Sequence, residues 1–571
     1  MKSPKKSVVA KQPASKTIKK DVDSKSAFLE MENFLIRNEK VVISVILSLA
    51  TLFAVLLFDV KISEGNDDAL YIEGGHSYAT DFNNYRFTAN APLYPFFLGG
   101  VIALFGLKLM LLKAINIVFF VASIFFIFLA FRKRIPALVM YPVLLIMALN
   151  SYFLYYASQT YTESLFMLLQ GIALWGIFSS FDSILKQDIV IKQHWKQFLQ
   201  IGVLIFILTY CKNIAIGAIA AVVMFLLIER KYLAAVLSVV GYAVIKFPFE
   251  AVRSIIWGSS GQYSNQLQIL MQKDAYDANQ GTENINGFIS RFFGNFDIYM
   301  SKRLFQILGF YNPDEIIIKT GLGILALILI AFGIYQAYRN KNKAISYLVW
   351  FTGIQAGLTF LLLQVKWDQP RLVLIYVPFM LLIIFYGLYK ALEKGGSSGL
   401  VAFIAVVAIV VSSSFMTTTK KSVKNFPVLK RNLGGDKFYG YTPDWANYLK
   451  LSEWCADSLP PNSFVACRKA PMSFVYGKGM KFYPIYTVPA LDTITTLSNP
   501  DSALALLKRE KVTHFIIANL RRNPKKVDGF IINTVHRMAY PIAQKYPQKI
   551  KFVKKMGDIE DAQLFEIRYD D

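Results

Sequence analysis

Cysteine is scarce in this 571-residue sequence, and the three copies show no spacing typical of metal ligands. Cys211 falls in an apolar run and is predicted to pack there as an inert side chain. Cys455 and Cys467 would form a disulfide if their region faced an oxidising compartment, and two free thiols are the equal alternative. Cysteine therefore indicates no metal site.

Acidic residues are also few, with 38 Asp and Glu against 62 Lys and Arg and a formal net charge of +24. Such an excess can indicate nucleic-acid binding, but no basic nucleic-acid motif is visible. The basic residues gather at the ends of apolar segments and in both terminal regions. This pattern is typical of membrane orientation and of contact with anionic lipid headgroups. Membrane lipids are therefore expected partners, and nucleic acid is not.

The sequence shows neither the early apolar region nor the small-residue cleavage site of a secretory signal peptide. Residues 1–40 are polar and lysine-rich, which predicts a basic, disordered cytoplasmic tail. The first long apolar run, Val41–Val60, is therefore expected to remain as a membrane-spanning helix.

Hydrophobic residues make up 54% of the chain and aromatic residues 15%, with a mean hydropathy of +0.40. A soluble domain of this length needs no such excess, so the composition indicates an integral membrane protein. About eleven apolar segments approach the ~20 residues needed to span a bilayer. They are 41–60, 111–131, 135–152, 161–181, 198–211, 212–229, 232–252, 316–338, 346–365, 371–391 and 399–416.

One further apolar stretch, Pro92–Gly106, is short and rich in proline and glycine. If it crossed the membrane, Arg132–Arg134 and most later basic loops would lie outside. If it only dips into the interface, those loops fall inside, as the positive-inside rule prefers. The N-terminus is then cytoplasmic, and the first loop (61–110), a long loop (253–315) and the C-terminal region lie outside the cytoplasmic membrane.

Residues 417–571 are predicted to form a small soluble α/β domain after the membrane domain of 41–416, because helical and strand-like periodicities alternate there. Its role is open between acceptor recognition and structural capping. The predicted helices are 444–459, 502–511 and 531–545, and the predicted strands are 463–467, 513–518, 549–554 and 563–568.

The stretch from Glu64 to His76 follows the first span and carries Asp67, Asp68 and Tyr71. Charged groups at a bilayer boundary are costly to bury, so a cluster there indicates a functional site. A solvated acidic loop is the alternative. Two residues in the same stretch are weaker candidates: His76 could bind substrate or a metal, and Glu73 is a comparable candidate.

This motif is followed by Ala91-Pro92-Leu93-Tyr94-Pro95, a short apolar helix, and a span ending in Arg132-Lys133-Arg134. The order resembles the C-type (GT-C) membrane glycosyltransferase superfamily, and within it bacterial proteins near the protein O-mannosyltransferases and lipid A aminoarabinose transferases (families 39 and 83). The resemblance covers roughly residues 41–416. It departs from the family at Asn90 and Ala91, where relatives often carry lysine or histidine.

The resemblance implies an inverting transfer of a sugar from a polyprenyl-phosphate donor to a protein, lipid or glycan acceptor. Asp67 aligns with the family's catalytic aspartate, a role that fits a general base. Basic residues outside are expected to hold the departing phosphate. The candidate catalytic residues are Asp67 and Asp68, and the candidate substrate-binding residues are Tyr71, Glu163, Lys212, Asp368 and Arg371.

Several of these roles have alternatives. Arg371 could be an interfacial anchor, Glu163 could be the buried partner of a basic group, and Asp68 could be a helper, a metal ligand or a bystander. Lys302 and Arg303 are expected to be solvated. A divalent metal is possible but has no visible ligand set. A transporter or flippase of a lipid-linked or small polar substrate, and a polymerase or ligase of surface polysaccharide, are the rival functions.

Overall fold

The structure is a computed structural model of the chain. The residues that it describes are 16–186, 188–258, 265–275, 277–311, 317–486, 498–522 and 531–569.

Helices dominate the chain up to residue 433. They are α1 (Lys16–Arg37), α2 (Glu39–Leu56), α3 (Asp67–Thr80), α4 (Leu93–Phe105), α5 (Leu109–Phe131), α6 (Ala137–Leu149), α7 (Ser151–Ala157), α8 (Thr162–Ile184), α9 (Ile191–Cys211), α10 (Gly217–Ile228), α11 (Tyr232–Trp257), α12 (Asn265–Met271), α13 (Ile285–Phe296), α14 (Leu304–Ile307), α15 (Thr320–Arg339), α16 (Lys343–Leu362), α17 (Arg371–Leu374), α18 (Val377–Leu392) and α19 (Gly396–Leu433).

This is a multi-pass membrane protein. Among the described residues, seven helices are long and apolar enough to cross a membrane, or eight if α6 and α7, bent by 61°, count as one span. Each of the eleven apolar segments found in the sequence contains helix. The count by length and apolarity is lower because α9 begins with polar residues, α10 is short, and α18 and α19 join into one stretch, Val377–Leu433.

The tail expected to be disordered is helical from Lys16 to Arg37, as α1. Two contacts explain the difference. Phe28 is buried, with its ring centroid 5.3 Å from that of Tyr389. The Glu32 carboxylate accepts a hydrogen bond from the Leu138 backbone at 3.1 Å, at the start of α6. Residues 1–15 lie outside the described part of the chain.

Helix α4, with 13 residues, is about 20 Å long and so falls short of the ~30 Å hydrocarbon core. This agrees with the non-spanning helix expected from charge placement. It packs closely on α3 through two glycines. A Cβ on Gly99 would lie 2.9 Å from the carbonyl oxygen of Gly75, so neither helix could approach the other with a larger residue there.

The long loop expected over 253–315 is largely structured. Helix α11 extends to Trp257, whose indole nitrogen donates to the Phe82 carbonyl at 2.7 Å. After α12 come two antiparallel strands, β1 (Gln272–Asp274) and β2 (Asp277–Thr282), then α13 and a π-helical turn, Asp297–Arg303.

Residues after 433 form an α/β region of the kind that the alternating pattern predicts, but it begins later than the expected residue 417 because α19 continues to Leu433. Its described residues build a five-stranded sheet in which Val465–Cys467 pairs in parallel with a strand on either side, and the other two pairings are antiparallel. Most predicted elements are confirmed, but Ile531–Ile532 is a strand and its helix begins at Thr534. The elements are α20 (Pro443–Ser458), β3 (Val465–Cys467), α21 (Ala470–Tyr476), β4 (Phe482–Pro484), α22 (Pro500–Arg509), β5 (His514–Ala518), β6 (Leu520–Arg521), β7 (Ile531–Ile532), α23 (Thr534–Lys545), β8 (Ile550–Met556) and β9 (Ala562–Ile567), with sheet order β4-β3-β5-β9-β8.

The helix bundle has two ends. We call the end that carries α3, α4 and the α/β region the C-terminal face. There Asn425 of α19 donates to the Leu56 and Phe58 carbonyls at 3.1 and 2.9 Å, so α19 leaves the bundle beside the end of α2. The opposite face carries the connections α5–α6, α8–α9 and α15–α16. In the structure Cys211, Cys455 and Cys467 are all buried free thiols, which is the second of the two alternatives for Cys455 and Cys467.

Candidate active site

A cavity of about 490 Å³ opens at the C-terminal face between residues far apart in the sequence. Its walls come from α3, the start of α8, the α9–α10 connection, the end of α16 and α17. Most of the residues singled out in the sequence meet here. They are Asp67, Tyr71, Glu163, Lys212 and Arg371.

Asp67 and Arg371 form an ion pair at the cavity wall. Asp67 is the first residue of α3 and keeps about half of its side chain exposed, and its Oδ2 accepts from Nη2 of Arg371. Arg371 begins α17 and is much more enclosed. Its Nε donates to Gln369 Oε1 at 2.7 Å, and its guanidinium lies 4.7 Å from the centroid of the Tyr161 ring. The arginine is thus held in place while the carboxylate stays accessible.

Glu163 and Lys212 form a second pair across the cavity, 2.8 Å between Oε1 and Nζ. Glu163 lies in the first turn of α8 and is buried, and Lys212 directly follows α9. Glu163 is therefore the buried partner of a basic group, which was the alternative to a substrate-binding role in the sequence analysis. Its other oxygen, Oε2, is buried without a hydrogen-bond partner among the residues described. An unsatisfied buried acceptor at a cavity wall is costly unless a ligand donates to it.

Asp68 points away from the cavity and into the protein. Its Oδ2 accepts from the Ser63 backbone at 2.7 Å, and Oδ1 accepts from Ser63 Oγ at 3.1 Å and the Ala69 backbone at 3.0 Å. Burial raises the pKa of Asp68 to about 6, although these hydrogen bonds oppose the rise. Its geometry suits holding the segment before Asp67 rather than touching a substrate.

Tyr71 forms part of the cavity floor. The Tyr71 hydroxyl accepts from Asn90 Nδ2 at 3.0 Å, and its ring packs edge-on against Tyr94 with centroids 5.5 Å apart. Burial raises the pKa of Tyr71 above its ordinary value, so the hydroxyl stays protonated and free to donate. Asn90 also lines the cavity.

Asp368 does not line the cavity. Its carboxylate accepts from Lys302 Nζ at 3.0 Å and from Arg303 Nε at 2.6 Å. The expectation that Lys302 and Arg303 are solvated is wrong, because both side chains are largely buried against this carboxylate. Asp368 has a left-handed backbone, with φ of 36°, three residues before Arg371. The ion pairs thus anchor the turn that presents Arg371.

The segment that delivers Asp67 is bound along its length by the C-terminal part of the chain. The Val60 backbone nitrogen donates to Asn432 Oδ1 at 3.0 Å. The Tyr441 hydroxyl accepts from the Ile62 backbone nitrogen at 2.7 Å and donates to the Ile62 carbonyl at 2.8 Å. One side chain therefore satisfies both polar groups of a buried residue.

Two more contacts follow immediately before Asp67. Lys469 Nζ donates to the Glu64 carbonyl at 2.6 Å, and the Met472 backbone nitrogen donates to Asn66 Oδ1 at 3.3 Å. Asn66 is in the left-handed region, with φ of 76°, so this contact fixes a strained turn. Burial lowers the pKa of Lys469 to about 8.

On its membrane side the same segment rests on Lys113 of α5, which is completely buried. Lys113 Nζ donates to Asp59 Oδ1 at 2.9 Å, to Gln159 Oε1 at 3.1 Å and to the Lys61 carbonyl. Lys113 lies inside the predicted span 111–131, and a charged residue at such a position could have been singled out from the sequence. Tyr441 and Lys469 carried no such signal, since they lie about 380 and 405 residues after their partners.

Glu73 and His76 lie under the α/β region and not in the cavity. The His76 ring packs edge-on against Phe474, with centroids 5.1 Å apart. Burial raises the pKa of Glu73 to about 6. Within the described part of the chain, no group of three or more His, Cys, Asp or Glu side chains is placed to share a metal ion.

No family model matches the sequence, and no curated protein matches it either. Solved structures do match. The oligosaccharyltransferase AglB of Archaeoglobus fulgidus, in complex with an inhibitory peptide and a dolichol-phosphate, has a TM-score of 0.55 at 13% identity, covering 94% of this chain and 75% of its own. ArnT of Cupriavidus metallidurans, bound to undecaprenyl phosphate, has a TM-score of 0.52 at 13% identity. The match covers 92% of this chain and 97% of the ArnT chain. The chain has the GT-C fold.

A third GT-C structure, the Archaeoglobus fulgidus oligosaccharyltransferase in complex with Zn and sulfate, has a TM-score of 0.54 at 14% identity, covering 83% of this chain and 68% of its own. The sequence-based resemblance is thus confirmed at the level of fold. At these identities the GT-C fold says nothing by itself about substrate, so function must be argued from the cavity.

Proposed function

We propose that this protein is a glycosyltransferase that moves a sugar from a polyprenyl-phosphate donor to a hydroxyl of a protein, lipid or glycan acceptor. One observation carries the proposal. A half-exposed carboxylate, Asp67, contacts an enclosed arginine, Arg371, in a cavity that also holds Lys212. This supplies a base and two cations within one site, in a fold whose solved members include complexes with lipid phosphates.

In the proposed reaction Asp67 is the general base. The acceptor hydroxyl gives its proton to the carboxylate while its oxygen attacks the anomeric carbon from the side opposite the phosphate. The bond between the anomeric carbon and the phosphate oxygen breaks, and its electron pair leaves with the lipid phosphate. Attack from the opposite side inverts the anomeric configuration.

Arg371 and Lys212 are proposed to bind the phosphate. A guanidinium presents a planar fork of donors that suits two phosphate oxygens, and an ammonium adds a compact charge. Both cations are paired with carboxylates, Asp67 and Glu163. An arriving phosphate would compete for them and free Asp67 Oδ2 for the acceptor, so donor binding would prepare the base.

Sugar recognition is proposed to involve Glu163, Tyr71 and Asn90. Glu163 Oε2 is the unpartnered acceptor described above, and the Tyr71 hydroxyl keeps its proton. A sugar hydroxyl has one donor and two acceptor lone pairs, so it could satisfy both groups. Arg371, which lies against the Tyr161 ring, completes the wall on the α17 side.

We place the cavity on the outer side of the cytoplasmic membrane. The opposite face carries Arg132–Arg134 and the basic α15–α16 connection, as expected for a cytoplasmic surface. Residues 1–40 would then be cytoplasmic, 41–416 the membrane domain, and 417–571 an external domain. Reporter fusions after residues 134 and 420 test this arrangement, and a cytoplasmic signal from the second fusion would refute it.

The decisive experiment incubates membranes containing the protein with candidate polyprenyl-phosphate sugars and compares Asp67→Asn with Asp81→Asn. Loss of a general base should lower transfer by about 10²–10⁴-fold. Asp81 caps the end of the same helix, and its exposed carboxylate accepts a hydrogen bond from Asn84 Nδ2 at 2.8 Å outside the cavity, so its variant should transfer normally. A folded Asp67→Asn protein with unchanged transfer would overturn the assignment.

A further inference from the structure

A second cavity, of about 440 Å³, lies at the opposite face of the bundle. It is enclosed by the α5–α6 connection, the end of α8, the end of α10 and the α15–α16 connection. Nothing in the proposed transfer reaction uses it.

The two cavities are separated by the thickness of the membrane domain. Helix α8 contributes Glu163 to the first cavity and Phe181 to the second, 18 residues and so about 27 Å apart along the axis. Helix α16 likewise carries Lys343 at the second cavity and Leu362 at the first. The second cavity is therefore a distinct site on the other membrane surface.

Basic side chains dominate its rim. Arg134 pairs with Asp182, and its guanidinium lies 5.2 Å from the centroid of the Phe178 ring. Lys186 and Lys341 are exposed, and neither forms an ion pair with another described residue. Two positive charges therefore remain uncompensated at the mouth of the cavity.

Its inner wall is apolar, formed by Phe178, Phe181, Leu185 and Phe225. Helix α16 begins at the same place, where the Asn342 side chain caps the Ile345 backbone nitrogen at 3.0 Å. Backbone N–H groups of the first turn add a partial positive charge to that of the lysines. The cavity thus offers cations at the membrane surface and apolar contacts immediately below.

We infer that this cavity binds the phosphodiester headgroup of an anionic membrane phospholipid. Basic pockets between transmembrane helices on the cytoplasmic side are suited to such headgroups. Scattered loop lysines would follow from the positive-inside rule alone, but they would not require a concave site with an aromatic wall. A free phosphate ion shares the charge but has no part that would use the apolar wall.

The test titrates the purified full-length protein in detergent with phosphatidylglycerol or phosphatidylcholine and counts bound lipid by native mass spectrometry. The variant is Lys186→Gln with Lys341→Gln. The control is Lys192→Gln with Lys394→Gln, two exposed lysines assigned to the same face that do not line the cavity. A lysine near an anionic headgroup contributes about 1 kcal/mol, so the double variant should bind phosphatidylglycerol about 30-fold more weakly.

Wild type and control should both prefer phosphatidylglycerol over phosphatidylcholine, and the cavity variant should lose most of that preference. Equal losses in the two variants would mean general surface charge and overturn the proposal. Displacement of the lipid by millimolar inorganic phosphate would assign the site to the free ion instead. Because these measurements do not require transfer, they stand or fall independently of the proposed activity.

Discussion

Tyr441→Phe should damage catalysis although the residue lies outside the cavity. Its hydroxyl is the hydrogen-bond partner of both backbone groups of Ile62, a residue that is 1% exposed. Phenylalanine keeps the ring and removes that partner. A buried backbone N–H left without an acceptor costs about 1–3 kcal/mol.

If the ordered segment before Asp67 is required in the transition state, that cost appears in the barrier. A penalty of 1–3 kcal/mol corresponds to a fall in kcat of about 5- to 150-fold. The KM for the donor should change little, because Arg371 and Lys212 do not contact Tyr441. Misplacing a base by about 1 Å is enough to produce a loss of this size.

The assay is sugar transfer by purified protein at saturating donor, with thermal unfolding measured in parallel. Tyr439→Phe is the matched control, since this exposed tyrosine is two residues away and its side chain packs only under Arg431 among the contacts described. Wild-type kcat in a folded Tyr441→Phe protein would refute the reasoning. A change confined to KM would refute it as well.

Two further predictions concern the buried charges of this region. Lys113→Met leaves the buried Asp59 carboxylate without the Lys113 ammonium, which should lower the free energy of unfolding by ~3–5 kcal/mol and reduce Tm. The exposed Lys108→Met is the control and should leave Tm unchanged. An unchanged Tm in Lys113→Met would contradict this prediction. The ionised form of Asp68 holds the loop, and burial raises its pKa to about 6, so the ionised fraction falls as the pH drops through 6. Transfer at pH 5 should then be about tenfold slower than at pH 8, an acid limb that Asp68→Asn lacks, and a flat profile would exclude this role.

The residues that met in the cavity could be found from the sequence because of where they stand. Each lies at the end of an apolar segment, where burying a charge is energetically costly and therefore indicates a functional site. These residues are Asp67, Glu163, Lys212 and Arg371. Helices that cross the same bilayer bring their ends to the same plane. Position at a boundary therefore predicts proximity without any knowledge of how the helices pack.

The pairing of those residues could not be predicted. Nothing in the sequence indicates that Arg371 contacts Asp67, or that Lys302 and Arg303 are buried on Asp368, because helix rotation and neighbour order decide both. The prediction that the tail before Arg37 is disordered was wrong for a similar reason. Its local composition indicates disorder, and only tertiary contacts such as that of Phe28 make it helical.

The α/β region and the end of α19 supply hydrogen bonds to the Asp59–Asn66 segment. This segment is neither helix nor strand, and alternate residues bond to Asn432, Tyr441 and Lys469. Such bonds order the segment only if their other ends are rigid. The five-stranded sheet and the packing of α21 against it supply that rigidity, and α19 ties both to the bundle. We therefore propose that the α/β region, which holds the backbone immediately before the proposed base, is part of the catalytic architecture.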